Sequence, residues 1–334
     1  MKLNQHRFPK KPHSSTAQSL QCIGDICMAW RRDELALKHY KQSLEMFSQL
    51  TSTGQAPPPV SISIHHSIII ILKRTDKCQE ALEHAEEALK LVRQSAGGEL
   101  SKQATTTLTL MGQIHSEQGS YNEALASYNN GLEEAICLDK PDAKYQIVML
   151  RNYIGTMHRK LEEVNLALKS HLEALEEAEK LYGDKPHRLK ASIYCNIGAD
   201  YDCLGDLERA RHFLQKSLDE NQNLGAHRKA TYKAYVSSKL SNVLKRLNRF
   251  DKALIYAKYA LRLSNELSKG TADPHVANAH ELIGGIYECQ GRVEDAATSL
   301  SEALKIYQTL HEQKALFEQE IHRLESGLVK LTNA

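Results

Sequence analysis

The stretch Ile197–Leu218, Ile-Gly-Ala-Asp-Tyr-Asp-Cys-Leu-Gly-Asp-Leu-Glu-Arg-Ala-Arg-His-Phe-Leu-Gln-Lys-Ser-Leu, decides the fold. It holds an apolar residue and a glycine, an aromatic three residues after that glycine, and a turn glycine at Gly205. Ala210 follows, with Ser217 and Leu218 seven and eight residues beyond it. This order describes two helices joined by a tight turn, because a glycine suits the left-handed conformation that ends a helix. Positions i, i+7 and i+8 share one helix face, and small side chains there let a neighbouring helix approach closely.

The second half of this pattern occurs seven times: Ala36/Ser43/Leu44, Ala81/Ala88/Leu89, Ala124/Gly131/Leu132, Ala167/Ala174/Leu175, Ala210/Ser217/Leu218, Ala253/Ala260/Leu261 and Ala296/Ala303/Leu304. The leading alanines are spaced by 45 residues once and then by 43 residues five times. A fixed period of this size is the signature of a repeat array, so dividing the length by a typical domain size does not count domains here. The first-helix pattern recurs as Ile23-Gly24, Met111-Gly112, Ile154-Gly155, Ile197-Gly198 and Ile283-Gly284, with turn glycines at Gly119, Gly205 and Gly291. Pro57 to Pro59, Pro141, Pro186 and Pro274 all fall between one pair and the next, where a helix can begin but should not continue.

After the seventh pair, Phe317, Ile321, Leu324, Leu328 and Leu331 recur at helical spacing, and Gly327 falls 43 residues after Gly284. This predicts an eighth first helix that caps the last apolar face, a short coiled coil being the alternative. The expected organisation is a flexible basic leader over 1–14, seven repeats over 15–311 and a capping helix over 312–334.

These motifs resemble the tetratricopeptide repeat family, through the Leu-Gly-x-x-Tyr-like core, the Gly119-Ser120-Tyr121 turn and the small residue that opens each second helix. The 43-residue period resembles the long-repeat class typified by kinesin light chain. Leu181-Tyr182-Gly183-Asp184-Lys185-Pro186-His187 and Ala272-Asp273-Pro274-His275-Val276-Ala277 echo that class's connectors. The resemblance implies an all-α, right-handed α-solenoid whose first helices line a concave wall. It also implies a non-catalytic scaffold or adaptor that holds a peptide segment of a partner protein.

A second period runs through the chain. Lys73-Arg74, Arg159-Lys160 and Lys245-Arg246 are spaced by 86 residues, two repeats, while the intervening repeats hold Ser116-Glu117, Asp202-Cys203 and Glu288-Cys289. By the resemblance these basic pairs border the concave wall, where they favour an extended acidic peptide through charge-assisted contacts. Asn152, Asn196, Ser238 and Asn242 are the expected partners of its backbone. The spacing alone also admits two origins without a ligand: cations near a helix C-terminus are favoured by the macrodipole, and duplication of a two-repeat unit would copy the pattern without selection for binding. The match to kinesin light chain is incomplete, since its paired asparagines are mostly single here, and the Lys/Asn, Asn, Lys/Arg set of a carboxylate clamp is absent.

Composition narrows the function. The chain has 334 residues, 43 Lys+Arg and 41 Asp+Glu, a formal charge of +2 that leaves little to neutralise nucleic-acid phosphates. The longest aliphatic run, Ile68 to Leu72, is far short of a membrane-spanning helix. Seven cysteines without a compact framework, and no Asn-x-Ser/Thr acceptor, point to cytoplasmic thiols. Lys2, Arg7, Lys10 and Lys11 lie among Pro9 and Pro12, which favours a leader over an amphipathic organelle signal.

No phosphate loop, dinucleotide fingerprint or nucleophile elbow occurs, so no enzyme activity, cofactor or metal is expected. His280-Glu281 lacks a second histidine at Gly284, and His65 and His66 are neighbours that point about 100° apart on a helix. Cys195 and Cys203 are about 12 Å apart along one helix, too far for a disulfide. Trp30, the sole tryptophan, is expected to pack in the core or cap, a ligand-facing role being the alternative. Besides a peptide-binding adaptor, two hypotheses remain: a module of a larger regulatory or motor-associated protein, and an enzyme with an unrecognised site.

Overall fold

The computed structural model describes residues 13–51, 60–95, 102–138, 141–222, 229–314 and 316–332. Fifteen helices and no strand lie among them, in the order α1 (Ser14–Ala29), α2 (Asp33–Thr51), α3 (Val60–Arg74), α4 (Cys78–Ser95), α5 (Lys102–Glu117), α6 (Tyr121–Leu138), α7 (Pro141–Lys160), α8 (Val164–Tyr182), α9 (Arg188–Cys203), α10 (Leu207–Gln222), α11 (Lys229–Arg246), α12 (Phe250–Ser268), α13 (Pro274–Cys289), α14 (Val293–Lys314) and α15 (Glu318–Thr332). That number is seven pairs and a fifteenth helix. Most of the expected leader and Pro57 to Pro59 lie outside the described residues. The chain divides into two compact units, residues 1–162 and 163–334. No described helix is long and apolar enough to cross a membrane.

The turn inside each pair has one geometry throughout. Its central residue is left-handed: Arg31, Asp76, Gly119, Glu162, Gly205, Asn248 and Gly291, with φ between 57° and 80°. Around Gly119, the glycine N–H donates to the Ser116 carbonyl (3.2 Å) and the Ser120 N–H to the His115 carbonyl (2.9 Å), which is a Schellman closure. Asp76, Gly205, Asn248 and Gly291 show the same two bonds with their own neighbours. Four of the seven turns therefore lack the glycine by which the sequence marks the others, although a side chain in this conformation costs about 1–2 kcal/mol. The repeat alanine then donates to the carbonyl four residues back in every pair, from Ala36 to Arg32 through Ala296 to Arg292.

All seven repeat alanines are fully buried. Size is matched across each pair. Gly24 lies under the Tyr40 ring, Gly112 under Tyr128, Gly198 under Leu214 and Gly284 under Leu300, so close that an added Cβ would sit 2.5 to 2.8 Å from the partner. At the same register the second pair holds Ile69 with Ala85, and the sixth holds Ser241 with Ala257, all buried. In the fourth pair Gly155 again faces a large buried residue, His171, so only the second pair sets its large side chain on the first helix.

In the first unit the core joins Tyr40, Phe47, Ile68, Ile71 and Ile114, and Tyr128 stacks on Tyr153 with ring centroids 5.1 Å apart. In the second unit Leu214, Val236, Leu240, Ile283 and Tyr287 form one cluster. Another lies under α15, where Phe317, Ile321, Leu324, Leu328 and Leu331 meet Tyr307 and Leu310 of α14. The connector echoed in Leu181–His187 is held by the buried Lys190. Its Nζ donates to the carbonyls of Gly183 (2.9 Å) and Lys185 (3.3 Å) and lies 3.3 Å from the Glu220 carboxylate, which accepts the His187 N–H at 2.8 Å.

Candidate peptide-binding walls

Within each unit the first helices lie side by side, α3, α5 and α7 in one and α9, α11 and α13 in the other. The ten residues singled out by sequence divide five to each unit.

In the first unit the cations are largely engaged. The Lys73 Nζ donates to Gln113 Oε1 at 2.8 Å and lies 3.2 Å from the Glu117 carboxylate, with only 13% of its side chain exposed. Gln113 Nε2 in turn donates to Tyr153 Oη at 3.3 Å, so α3, α5 and α7 are tied by side chains. Arg74 pairs with Asp33 of α2 at 2.6 Å. Lys160 is exposed, its Nζ 5.9 Å from the Tyr121 ring centroid, while Arg159 is half-buried and Asn152 buried. His65 and His66 diverge: the Nδ1 atoms of His65 and His84 are 3.0 Å apart, and His66 Nε2 meets Thr107 Oγ1 at 2.8 Å. Burial pushes His65 and His66 down to about 4. No cluster of three or more His, Cys, Asp or Glu fit to hold a metal occurs among the described residues.

The second unit has a different balance. Arg246 pairs with the Asp202 carboxylate of α9, so an acid of an odd repeat again meets a cation of an even one. Lys245 does not follow this pattern. Its Nζ lies 3.5 Å from the position a Cβ on Gly285 would take, and it has no ion-pair partner among the described residues. The helix that carries it, α11, holds Lys229, Lys233, Lys239, Lys245 and Arg246 and not one acidic residue.

Ser238 and Asn242 are half-buried on α11, and Asn196 is half-buried on α9. Two residues absent from the sequence expectation join them. Tyr235 is 50% exposed, and Lys239 Nζ stands 5.0 Å from its ring centroid. Tyr235, Ser238, Asn242 and Lys245 step by three, four and three residues along one face, which is the signal that would have found the tyrosine. Beside them a cavity of about 70 Å³ opens between α11 and the start of α13, lined by Thr231, Tyr235, Ser238, Ser264, Asp273 and Asn278 among others.

Trp30 departs from expectation. It is 69% exposed at the end of α1, with the Arg32 guanidinium 5.8 Å from its ring centroid, so it does not pack in the core.

No curated protein sequence matches the chain. Among solved structures it is similar to BtubC (BKLC) from P. vanneervenii, with TM-score 0.60, 18% identity, and coverage of 70% of this chain and 92% of that one. It is also similar to a tetratricopeptide repeat protein from Parabacteroides merdae, with TM-score 0.59, 16% identity, and coverage of 96% and 100%. A signal-transduction ATPase (STAND) protein from Pyrococcus horikoshii, which has a tetratricopeptide repeat sensor, aligns with TM-score 0.68 and 16% identity over 94% of this chain and 44% of its own. At these identities the likenesses bear on the fold alone. Residues 61–133 and 145–219 match the tetratricopeptide repeat family model, which marks these segments, somewhat under half of the chain, as tetratricopeptide repeats.

Proposed function

We propose that this protein is a non-catalytic scaffold that holds an extended acidic segment of a partner protein against the first helices, with α11 as the main contact. The repeat family supports an interaction scaffold in general. The observation that carries the finer reading is that α11 bears five cations and no acid, with Lys245 unpaired among the described residues, whereas Lys73, Arg74 and Arg246 are taken up by neighbouring acids. Lys239 and Lys245 supply the charge. Asn242, Ser238 and Asn196 supply backbone hydrogen bonds, and Tyr235 offers an aromatic face. In the first unit Lys160, Arg159 and Asn152 provide a lesser contact, and Lys73 and Arg74 join only where an incoming carboxylate displaces Glu117 or Asp33. The likeness to the kinesin-light-chain class, and a cytoplasmic location in keeping with seven cysteines, belong to the same proposal.

The test is fluorescence anisotropy with labelled peptides rich in Asp and Glu. Binding is expected to weaken at least about tenfold in Lys239→Glu/Lys245→Glu and to fall with salt. Equal binding by both proteins would overturn the assignment. A second reading, that the repeats serve as a module of a larger regulatory protein, is favoured by the alignment with less than half of the P. horikoshii chain, where the repeats are a sensor.

A further inference from the structure

Where two first helices lie side by side, a side chain near the start of the following helix closes the gap between them. Gln146 of α7 is buried there, and its Nε2 donates to Thr106 Oγ1 of α5 at 3.2 Å. Tyr232 of α11 does the same against α9, its Oη donating to the Ala191 carbonyl at 2.7 Å. Three repeats after Thr106 and Gln146 stand Tyr235 of α11 and His275 of α13, and both of these are exposed. The 70 Å³ cavity is the space they leave open.

Its lining is polar and unpaired. Ser264 is 4% exposed and Ser238 half-buried, and neither hydroxyl, nor the amide of Asn278, has a hydrogen-bond partner among the described residues. At the register of Ser264 the other second helices bury Phe47, Val92, Ala135, Ala178 and Tyr307, with only Asn221 also polar, so packing does not call for a hydroxyl there. A buried polar side chain without a partner is uncommon in a folded protein. Donors and acceptors thus converge on a space of about five water positions, the size of a side-chain amide and too small for an aromatic ring. Charge restricts the occupant further. Asp273 caps α13 by accepting the His275 N–H at 2.7 Å, and its carboxylate in the wall disfavours an acidic side chain. Lys239 Nζ, 5.0 Å from the ring centroid of Tyr235 in the facing wall, disfavours a basic one.

Resting on the reading of α11 as the site for an acidic segment, we propose that the adjoining cavity is its specificity pocket. It takes a primary amide, Asn or Gln, of the bound segment into the place that the protein's own Gln146 fills between α5 and α7. Ser238 and Lys245 are seven residues apart on α11, as are Asn278 and Gly285, the glycine beside Lys245 Nζ, on α13. Both helices therefore put about 10 Å between the pocket and the cation. A polyproline II segment returns to the same face every three residues, after about 9 Å, which sets the amide three residues from the carboxylate that meets Lys245.

Fluorescence anisotropy on the full chain tests this with labelled peptides of equal charge, rich in Pro and Asp, that hold Gln, Asn or Leu three residues before or after a central Asp. The best amide peptide is expected to bind the native chain at least about tenfold more tightly than its leucine counterpart, because leucine leaves the polar lining unpaired. That advantage should vanish in Asn278→Leu, at an exposed position where circular dichroism should show unchanged helicity, while Lys245→Glu should weaken amide and leucine peptides alike. Amide and leucine peptides that bind equally, yet both lose affinity in Lys245→Glu, would overturn the pocket and leave the acidic-segment reading standing. An amide preference that survives Asn278→Leu would overturn the pocket as well, by placing the amide elsewhere. Binding indifferent to Lys245→Glu would overturn the acidic-segment reading, and the pocket with it.

Discussion

Gly112→Ala and Gly285→Ala are the same chemical change in the middle of first helices, and the structure assigns them opposite signs. A Cβ on Gly112 would lie 2.5 Å from Cε1 and 2.6 Å from Cδ1 of Tyr128. The ring cannot swing aside, because it is buried and stacks on Tyr153 at 5.1 Å. Overpacking of this kind costs about 1–3 kcal/mol, against which alanine gains about 1 kcal/mol in helix propensity, for a net destabilisation of about 1–2 kcal/mol. On Gly285 the only atom within 4 Å of the new Cβ is the mobile Lys245 Nζ at 3.5 Å, so the propensity gain survives and stability rises by up to about 1 kcal/mol. Repeating Gly112→Ala in a Tyr128→Ala background removes the clash, and alanine should then stabilise there too. The cycle should thus report a coupling of about 2–3 kcal/mol. Urea unfolding followed by circular dichroism measures all of these variants. The size-matching argument fails if Gly112→Ala is as stable as Gly285→Ala, or if its effect is the same in both backgrounds.

Further outcomes follow from the turns, the buried histidines and the Lys190 connector. Glu162→Gly should stabilise by about 1 kcal/mol and Gly205→Ala destabilise by a similar amount, since both residues sit at positive φ; thermal melts would show it. His65 and His66 have folded-state values near 4, below the unfolded 6.5, so their contribution is fully present above pH 6.5 and is lost as pH falls toward 4. The urea midpoint should drop between pH 7 and pH 5, and His66→Gln should flatten that drop. Lys190→Met leaves the Gly183 and Lys185 carbonyls and Glu220 without their buried cation, so a loss of about 2–4 kcal/mol and faster proteolysis between Gly183 and His187 are expected.

The sequence is most readable where one small residue answers one geometric demand. The repeat alanines and helix glycines are set by the distance of closest approach between helices, and every alanine is buried as its spacing requires. Turn geometry is only half legible. Asp76 and Asn248 are types that tolerate the conformation of Gly119, Gly205 and Gly291, whereas Arg31 and Glu162 adopt it because the surrounding closure imposes it, and nothing in their side chains signals it.

Spacing finds the basic pairs and sets Glu117 and Asp202 at the equivalent places of the intervening repeats, but it does not find Asp33 or say which acid engages which cation. Asp33, Glu117 and Asp202 come from adjacent repeats, and which of them reaches a given cation depends on helix packing. Trp30 escapes the sequence reading for a related reason: α1 carries the residues of an internal repeat, so the pattern predicts a neighbouring helix that no described residue supplies.

The central claim is that α11 receives acidic segments of partner proteins. The most direct measurement is selection of a displayed random-peptide library on the full chain, in parallel with Lys239→Glu/Lys245→Glu and with Lys73→Glu as a control. The account predicts enrichment of peptides rich in Asp and Glu on the native chain and on Lys73→Glu, and loss of that enrichment on the double variant. Enrichment without acidic bias, or acidic peptides retained equally by the double variant, would contradict it.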